Sequence, residues 1–178
     1  MSEYRDNWIT TYSGWRFHYL NPKPDEINIH DIAHALSLKC RFSGHCKCLY
    51  TVGEHSIRVA ELLSDNLKLS GLLHDATEAY MPDVVRPIKE RFGLREYEDK
   101  IWAVIAKKYG VEMSKEVKVA DDTLIATEAR DLMPNMTGWK RLPLPLYEHI
   151  YPIVSTLAVE TIFLAKFREY GGVDGRGY

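Results

Sequence analysis

Apolar residues recur every three to four positions over most of the chain, which is the pattern of helices that bury one face. No run of alternating apolar and polar residues indicates a strand, and no internal repeat is visible. We therefore expect an all-α domain, a single compact bundle of about five or six helices. The predicted helices cover about 31–39, 51–63, 67–80, 94–109, 115–133 and most of 151–170.

Residues near the predicted helix ends support these limits. Thr51 begins the second helix, and its hydroxyl and the Glu54 carboxylate can each satisfy a free amide of the first turn. Gly110 is placed to end the fourth helix in the left-handed conformation. The segments 8–24 and 134–145 are predicted to be irregular, and the second of them is either a lid or only a connection.

Composition favours a globular protein with a small ligand. The chain has 178 residues, of which 46% are hydrophobic and 27% charged, values that suit one domain spanning 1–178. The net charge of -2 argues against a nucleic acid polymer as partner, because polymer-binding proteins carry a basic stripe. The polar start and the absence of a long apolar run predict no membrane segment and a cytoplasmic location.

Three cysteines lie close together at Cys40, Cys46 and Cys48, with His45 between them. These residues could be read as a zinc knot. The spacing lacks a Cys-x-x-Cys pair and a distant second half, so reduced thiols are the favoured interpretation.

A second group of histidines and acids offers better-spaced chemistry. His55 shares a helix face with Val52 and Val59 and is expected to point inward. A lone inward histidine is usually a core residue bonded to a backbone carbonyl. On the third helix, however, His74 and Asp75 are adjacent and about 100° apart, so they could hold one ion between them.

Asp121 falls in an apolar stripe between Val117 and Leu124, where an ionised carboxylate without a partner would be very costly. A cation held by the two histidines and Asp75 would supply that partner, giving a mixed nitrogen and oxygen ligand set. A buried salt bridge from Asp121 to an arginine or lysine is the alternative.

Three segments carry this set: Glu54-His55-Ser56, then LHDATEAY over 73–80, then Val119-Ala120-Asp121 with TEARDL over 127–132. In them the chain resembles the HD-domain metal-dependent phosphohydrolases. It is most similar to bacterial 5′-deoxynucleotidases and to short HD proteins of phages and prophages, including dATP triphosphohydrolases. The similarity runs from about 27 to 132 and implies the HD helical bundle.

The resemblance implies that His55, His74, Asp75 and Asp121 are the metal ligands. The expected cofactor is one divalent transition metal, Zn, Mn, Co or Fe. A single metal is predicted because no histidine lies between Asp75 and Asp121, whereas the two-metal HD enzymes resemble one another in having extra histidines there.

The resemblance also implies roles for four further residues. Glu78 would handle the proton of the attacking water or of the leaving oxygen, with an ordinary exposed helix glutamate as the alternative. Asp83 matches a second acidic position. Arg41 would bind phosphate, or is a surface arginine, and Phe42 would contact the sugar at a position where the family has tryptophan.

Arg86 and Lys89 are expected to add positive charge near a phosphate tail. The implied activity is cleavage of the 5′-phosphate ester of 2′-deoxynucleotides, either mono- or triphosphates, to the deoxynucleoside plus phosphate or triphosphate. One alternative is a phage dATP triphosphohydrolase serving 2-aminoadenine DNA. Another is an inactive nucleotide-binding regulatory module. Relatives imply a homo-oligomer.

Overall fold

Most of the chain is helical in the computed structural model, which describes residues 7–82, 84, 91–137, 139 and 142–174. The all-α prediction is confirmed as a mostly helical small domain, to which one short antiparallel hairpin is added. None of the described helices is long and apolar enough to cross a membrane. The helices are α1 (Ile29–Leu38), α2 (Val52–Glu61), α3 (Lys68–Leu73), α4 (Arg95–Tyr109), α5 (Lys115–Leu132) and α6 (Thr156–Glu169), and the strands are β1 (Trp8–Thr10) and β2 (Arg16–His18).

The hairpin lies where a loop was predicted. Strand β1 pairs with β2 so that Ile9 faces Phe17, and Gly14 allows the turn with a φ of 80°. Phe17 is fully buried in the main core. Strands of three residues are too short for an alternation pattern, so the pairing depends on this tertiary contact.

Helix α2 lies at the centre of the domain and contacts α1, α3, α5 and α6. Thr51 caps it as predicted, by accepting a hydrogen bond from the Glu54 amide. The Glu54 side chain does not complete the cap and does not face solvent. It is fully buried and accepts hydrogen bonds from Arg58 and the Ile153 amide, because the segment before α6 crosses α2 at this point.

The predicted third helix over 67–80 is interrupted. Helix α3 ends at Leu73, a turn follows at His74 and Asp75, and a 3-10 turn covers Ala76–Ala79. Asp75 has φ -98° and ψ 13°, outside helical values. The prediction of one continuous helix was therefore wrong at the two residues that carry the candidate chemistry.

Gly71 explains how α3 approaches α2. A Cβ at this position would lie 3.0 Å from the Ala60 Cα and 2.4 Å from a Leu63 methyl carbon, so a larger residue would separate the helices. The absence of a side chain at Gly71 therefore lets α3 lie close to α2, which brings His74 close to His55.

The remaining helix ends follow local signals. Gly110 ends α4 with a φ of 65°, and the Ser114 hydroxyl caps α5 by accepting from the Val117 amide. Helix α6 begins within the predicted range, after Ser155, whose hydroxyl accepts from the Ala158 amide.

The segment between α5 and α6 is held to α5 by one carboxylate. Asp131 accepts hydrogen bonds from Arg130 Nε at 2.7 Å, His149 Nδ1 at 2.9 Å and the Ile150 amide at 2.9 Å. Arg130 also donates to the carbonyl of Glu148. We call this group of Arg130, Asp131, His149 and Ile150 the Asp131 anchor.

Candidate metal centre

The two histidines of the motif face each other across the contact between α2 and the end of α3. His55 Nε2 lies 3.3 Å from His74 Nε2. The His55 side chain is completely buried and that of His74 nearly so. Two imidazole nitrogens so close together can share a proton or bind a common cation, and the second is the arrangement of a metal site.

Asp75, from the turn after α3, and Asp121, from α5, each lie close to both imidazoles. Asp75 Oδ2 lies 3.4 Å from His74 Nε2 and 3.7 Å from His55 Nε2. Asp121 Oδ1, from α5, lies 3.1 Å from His55 Nε2 and 3.8 Å from His74 Nε2. The ligand atoms of His55, His74 and Asp75 all lie within 4.8 Å of one another and could hold a metal ion.

No other group in the described part of the chain meets the same criterion. The three cysteines are free thiols, two of them exposed, and His45 is not drawn into a cluster with them. The favoured interpretation of these cysteines as reduced thiols agrees with this arrangement.

Hydrogen bonds on the far side of each ring orient the imidazoles. His55 Nδ1 donates to Glu128 Oε1 at 2.5 Å, and His74 Nδ1 donates to the Gly71 carbonyl at 2.7 Å. With Nδ1 donating on the far side, each ring directs Nε2 into the centre, where a cation could take the place of a proton on that nitrogen. His55 is thus bonded to a carboxylate, not to the backbone carbonyl of the core-histidine alternative.

The acids of the centre shift the pKa values of its ligands. Burial and Arg41 lower the pKa of His55, but the neighbouring carboxylates, Glu128 foremost, outweigh them and raise it to about 9. Burial also opposes the charged form of His74, whose pKa Asp75 and Asp121 nevertheless raise. The Asp121 pKa is held below its usual range by the two imidazoles, against the effect of burial.

Arg41 is the positive group beside these acids. Its Nη2 lies 3.1 Å from Glu128 Oε2 and its Nη1 lies 3.5 Å from Asp75 Oδ2, with only 13% of the side chain exposed. Burial disfavours its charge, yet Glu128, Asp75, Glu78 and Asp121 raise the Arg41 pKa above its ordinary value. Arg41 is therefore not the surface arginine of the alternative interpretation.

The carboxylates of this group favour positive charge between them. Four carboxylates raise the Arg41 pKa, and the same acids raise the pKa values of the two buried imidazoles. A divalent cation would supply positive charge at this position. Imidazole nitrogens and carboxylates are ligands used by Zn, Mn, Co and Fe, so the residues present fit the expected cofactor in chemical type.

Phe42 follows Arg41 in an unusual backbone conformation. Phe42 and Ser43 have φ values of 50° and 53°, a left-handed region that is costly for residues with a Cβ. The Phe42 ring lies 5.2 Å from the Arg41 guanidinium and 5.7 Å from the Trp139 ring. The arginine and its aromatic neighbour are therefore held together, next to Trp139.

A cleft of about 370 Å³ opens beside the centre. Its lining contains His74, Asp75 and Asp121, together with the basic residues Arg95 and Lys118 and the acidic residues Glu98 and Asp99. About a quarter of each aspartate side chain is exposed, so the centre is accessible from this side.

The structure brings together most of the residues predicted from the sequence. Glu78 is 9% exposed and influences Arg41, so it is not an ordinary exposed helix glutamate. Asp83, Arg86 and Lys89 lie outside the described residues. Sequence reasoning gave no role to Glu128, although it follows Asp121 by two helical turns on the same face of α5.

Known proteins resemble this chain along most of its length. It is 43% identical over 129 residues to the uncharacterized protein YfdR of Escherichia coli strain K12, covering 71% of this chain and 72% of YfdR. It is 31% identical over 142 residues to the uncharacterized protein RCAP_rcc00048 of Rhodobacter capsulatus, covering 70% of this chain and 72% of that protein. No protein-family model matches the chain. The chain belongs to the family that includes YfdR and RCAP_rcc00048.

Proposed function

We propose that the protein is an HD-type metal-dependent phosphohydrolase that cleaves the 5′-phosphate ester of 2′-deoxynucleotides. The products are a deoxynucleoside and either phosphate or triphosphate. The observation that supports this proposal is the convergence of His55, His74, Asp75 and Asp121 from three separate segments, with both Nε2 atoms directed inward.

These four residues would hold one divalent cation. When bound, such a cation withdraws electron density from a phosphoryl oxygen and acidifies water to a pKa of about 7. Zn, Mn, Co and Fe all suit the ligand set, and metal analysis of the purified protein distinguishes them.

Glu78 would handle the proton of the reaction. Hydrolysis forms a bond from the water oxygen to phosphorus, breaks the bond from phosphorus to the 5′ oxygen, and moves a proton from the water to that oxygen. A buried carboxylate beside Arg41 is suited to accept this proton and return it. Asp83 stays a prediction as a second acidic residue.

Arg41 would bind the phosphate. Its Nε is buried and makes no hydrogen bond within the described part of the chain, so this donor is available to a phosphoryl oxygen alongside the terminal nitrogens. Phe42, held beside the guanidinium, would contact the sugar. Arg86 and Lys89 stay predictions for a phosphate tail.

The test incubates protein loaded with Zn²⁺, Mn²⁺, Co²⁺ or Fe²⁺ with deoxy- and ribonucleoside mono- and triphosphates. Release of phosphate or triphosphate from deoxynucleotides is the expected result. Turnover of dATP alone, with triphosphate released, would support the dATP triphosphohydrolase instead. Binding without product under every metal condition would replace the enzyme with a nucleotide-binding regulatory module. Equal rates on ribonucleotides would reject a role of Phe42 in sugar selection.

The homo-oligomer also stays a proposal. Size-exclusion chromatography with light scattering measures it directly. A mass of 20.6 kDa, that of one chain, would contradict it.

A further inference from the structure

Glu128 uses both of its carboxylate oxygens inside the protein. Oε1 accepts from His55 Nδ1 at 2.5 Å, and Oε2 accepts from Arg41 Nη2 at 3.1 Å. The side chains of Glu128 and His55 are both completely buried. One carboxylate therefore joins a candidate metal ligand to the candidate phosphate-binding arginine.

The bond to His55 determines which ring nitrogen is free. A carboxylate that accepts from Nδ1 keeps a proton on that nitrogen, so Nε2 is the nitrogen that can bind a cation. It also fixes the plane of the ring, whose Nε2 lies 3.1 Å from Asp121 Oδ1. Partners of this kind are known to alter metal affinity when they are removed.

The bond to Arg41 acts on the other side of the centre. It holds one terminal nitrogen of the guanidinium and leaves Nη1 3.5 Å from Asp75 Oδ2. Because Asp75 is itself a candidate ligand, the guanidinium lies next to the cation position. Glu128 is thus the shared support of the residues expected to bind the cation and the anion.

We propose that Glu128 is a positioning residue that orients His55 for the cation and Arg41 for the phosphate from a single carboxylate. The inference rests on the proposed function, because it takes the centre to bind a metal and a phosphate. Two acceptor oxygens at full glutamate length are required. Glutamine keeps the length but has one acceptor, and aspartate keeps both acceptors and the charge but is one methylene shorter.

The experiment compares Glu128→Gln and Glu128→Asp with the matched control Asp131→Asn. Asp131 lies on the same helix and also pairs with one arginine and one histidine, but in the Asp131 anchor. Zinc affinity is measured by competition with a chromogenic chelator, and thermal unfolding checks that each variant is folded.

Both Glu128 variants are expected to bind Zn²⁺ about 10- to 100-fold more weakly than the wild type, whereas Asp131→Asn stays within about threefold. In the zinc-loaded protein, the His55 Nδ1 proton should resonate far downfield and move upfield in Glu128→Gln. Orthophosphate should bind zinc-loaded Glu128→Asp several-fold more weakly, since the guanidinium follows the shortened carboxylate while the charge is unchanged.

Three results would overturn the proposal. Zinc affinity of Glu128→Gln within threefold of the wild type would remove the role at His55. Wild-type zinc affinity in Glu128→Asp would show that charge alone suffices, and unchanged orthophosphate affinity there would remove the role at Arg41. If Glu128→Gln fails to fold, the aspartate variant decides both points.

These readouts separate the inference from the proposed function. Zinc affinity and the resonance of the His55 Nδ1 proton can be measured without turnover. If the protein binds zinc but has no hydrolase activity, the proposed enzymatic function is rejected. The zinc affinities of the Glu128 variants then still decide the role of Glu128 at His55. A wild-type protein that binds neither Zn²⁺ nor Mn²⁺ would overturn both.

Discussion

The candidate metal centre and the Asp131 anchor both combine acids of α5 with arginine and histidine side chains, yet their charges are arranged differently. In the anchor, Arg130, His149 and the Ile150 amide all donate to one carboxylate. In the centre, several carboxylates surround a single guanidinium. The anchor has more donors than carboxylates, whereas in the centre the carboxylates outnumber the guanidinium and raise the pKa values of His55 and His74.

The histidines of the two regions differ in the same sense. The His149 side chain is 63% exposed and donates from Nδ1 to Asp131. The His55 and His74 rings are buried, and their second nitrogens converge. Residue composition therefore does not identify a functional site in this protein. The direction of the ring nitrogens and the number of carboxylates around them distinguish the candidate centre from the anchor.

The largest effect at the candidate metal centre is expected from Glu78→Gln, which should lower turnover. The variant keeps the size of the side chain but loses the proton acceptor, so turnover should fall by about 10²- to 10⁴-fold. Metal content should stay at the wild-type level, because Glu78 is not among the ligands. Steady-state assays and elemental analysis measure the two quantities, and full activity would remove Glu78 from the mechanism.

Asp121→Asn should affect the cation next most strongly. The amide retains an oxygen but loses the charge that faces both imidazoles. We therefore expect zinc affinity to fall by about 100-fold or more, because removing a residue that only hydrogen-bonds to a metal ligand already costs about 10- to 100-fold. Chelator competition measures the loss. An affinity equal to that of the wild type would exclude Asp121 as a ligand.

Asp131→Asn should lower the stability of the protein but leave its zinc affinity unchanged. The asparagine cannot accept from all three donors, and the Asp131 side chain is only 7% exposed, so the free energy of unfolding should fall by about 1–3 kcal/mol. Urea denaturation measures this loss. A weakened zinc affinity in a folded variant would contradict the separation between the anchor and the centre.

The smallest expected effect is that acid pH reduces the contribution of the Asp131 anchor to the free energy of unfolding. Arg130, His149 and the Ile150 amide hold the pKa of Asp131 below its usual range. Because the folded-state pKa lies below the unfolded value of about 3.9, this stability is present above that pH and is lost as the pH falls below it. The difference in unfolding free energy between wild type and Asp131→Asn should therefore shrink below about pH 4. A difference independent of pH would contradict the shift.

Local signals in the sequence were sufficient for much of the fold. The caps at Thr51 and Ser114 and the left-handed Gly110 act within one helical turn. The helix ends that they form can therefore be predicted from a few neighbouring residues. The candidate ligands could also be predicted from the sequence, because His55 and Asp121 each fall on an apolar helix face where a polar side chain needs a partner.

Other features depend on contacts between distant segments. The hairpin depends on the burial of Phe17, and the orientation of Glu54 depends on Ile153, far along the chain. Helix periodicity alone predicts that the third helix continues past His74, and it gives no information about what the side chain of Glu128 contacts.

The sequence by itself determined the helical domain and the identities of the candidate ligands, because helix periodicity, caps and residue chemistry are local properties. Only the tertiary structure decided that Glu128 joins His55 to Arg41 and that the two imidazoles meet at 3.3 Å. Those contacts join separate segments of the chain, and their geometry follows from how α2 and α5 pack with the segments that carry Arg41 and His74.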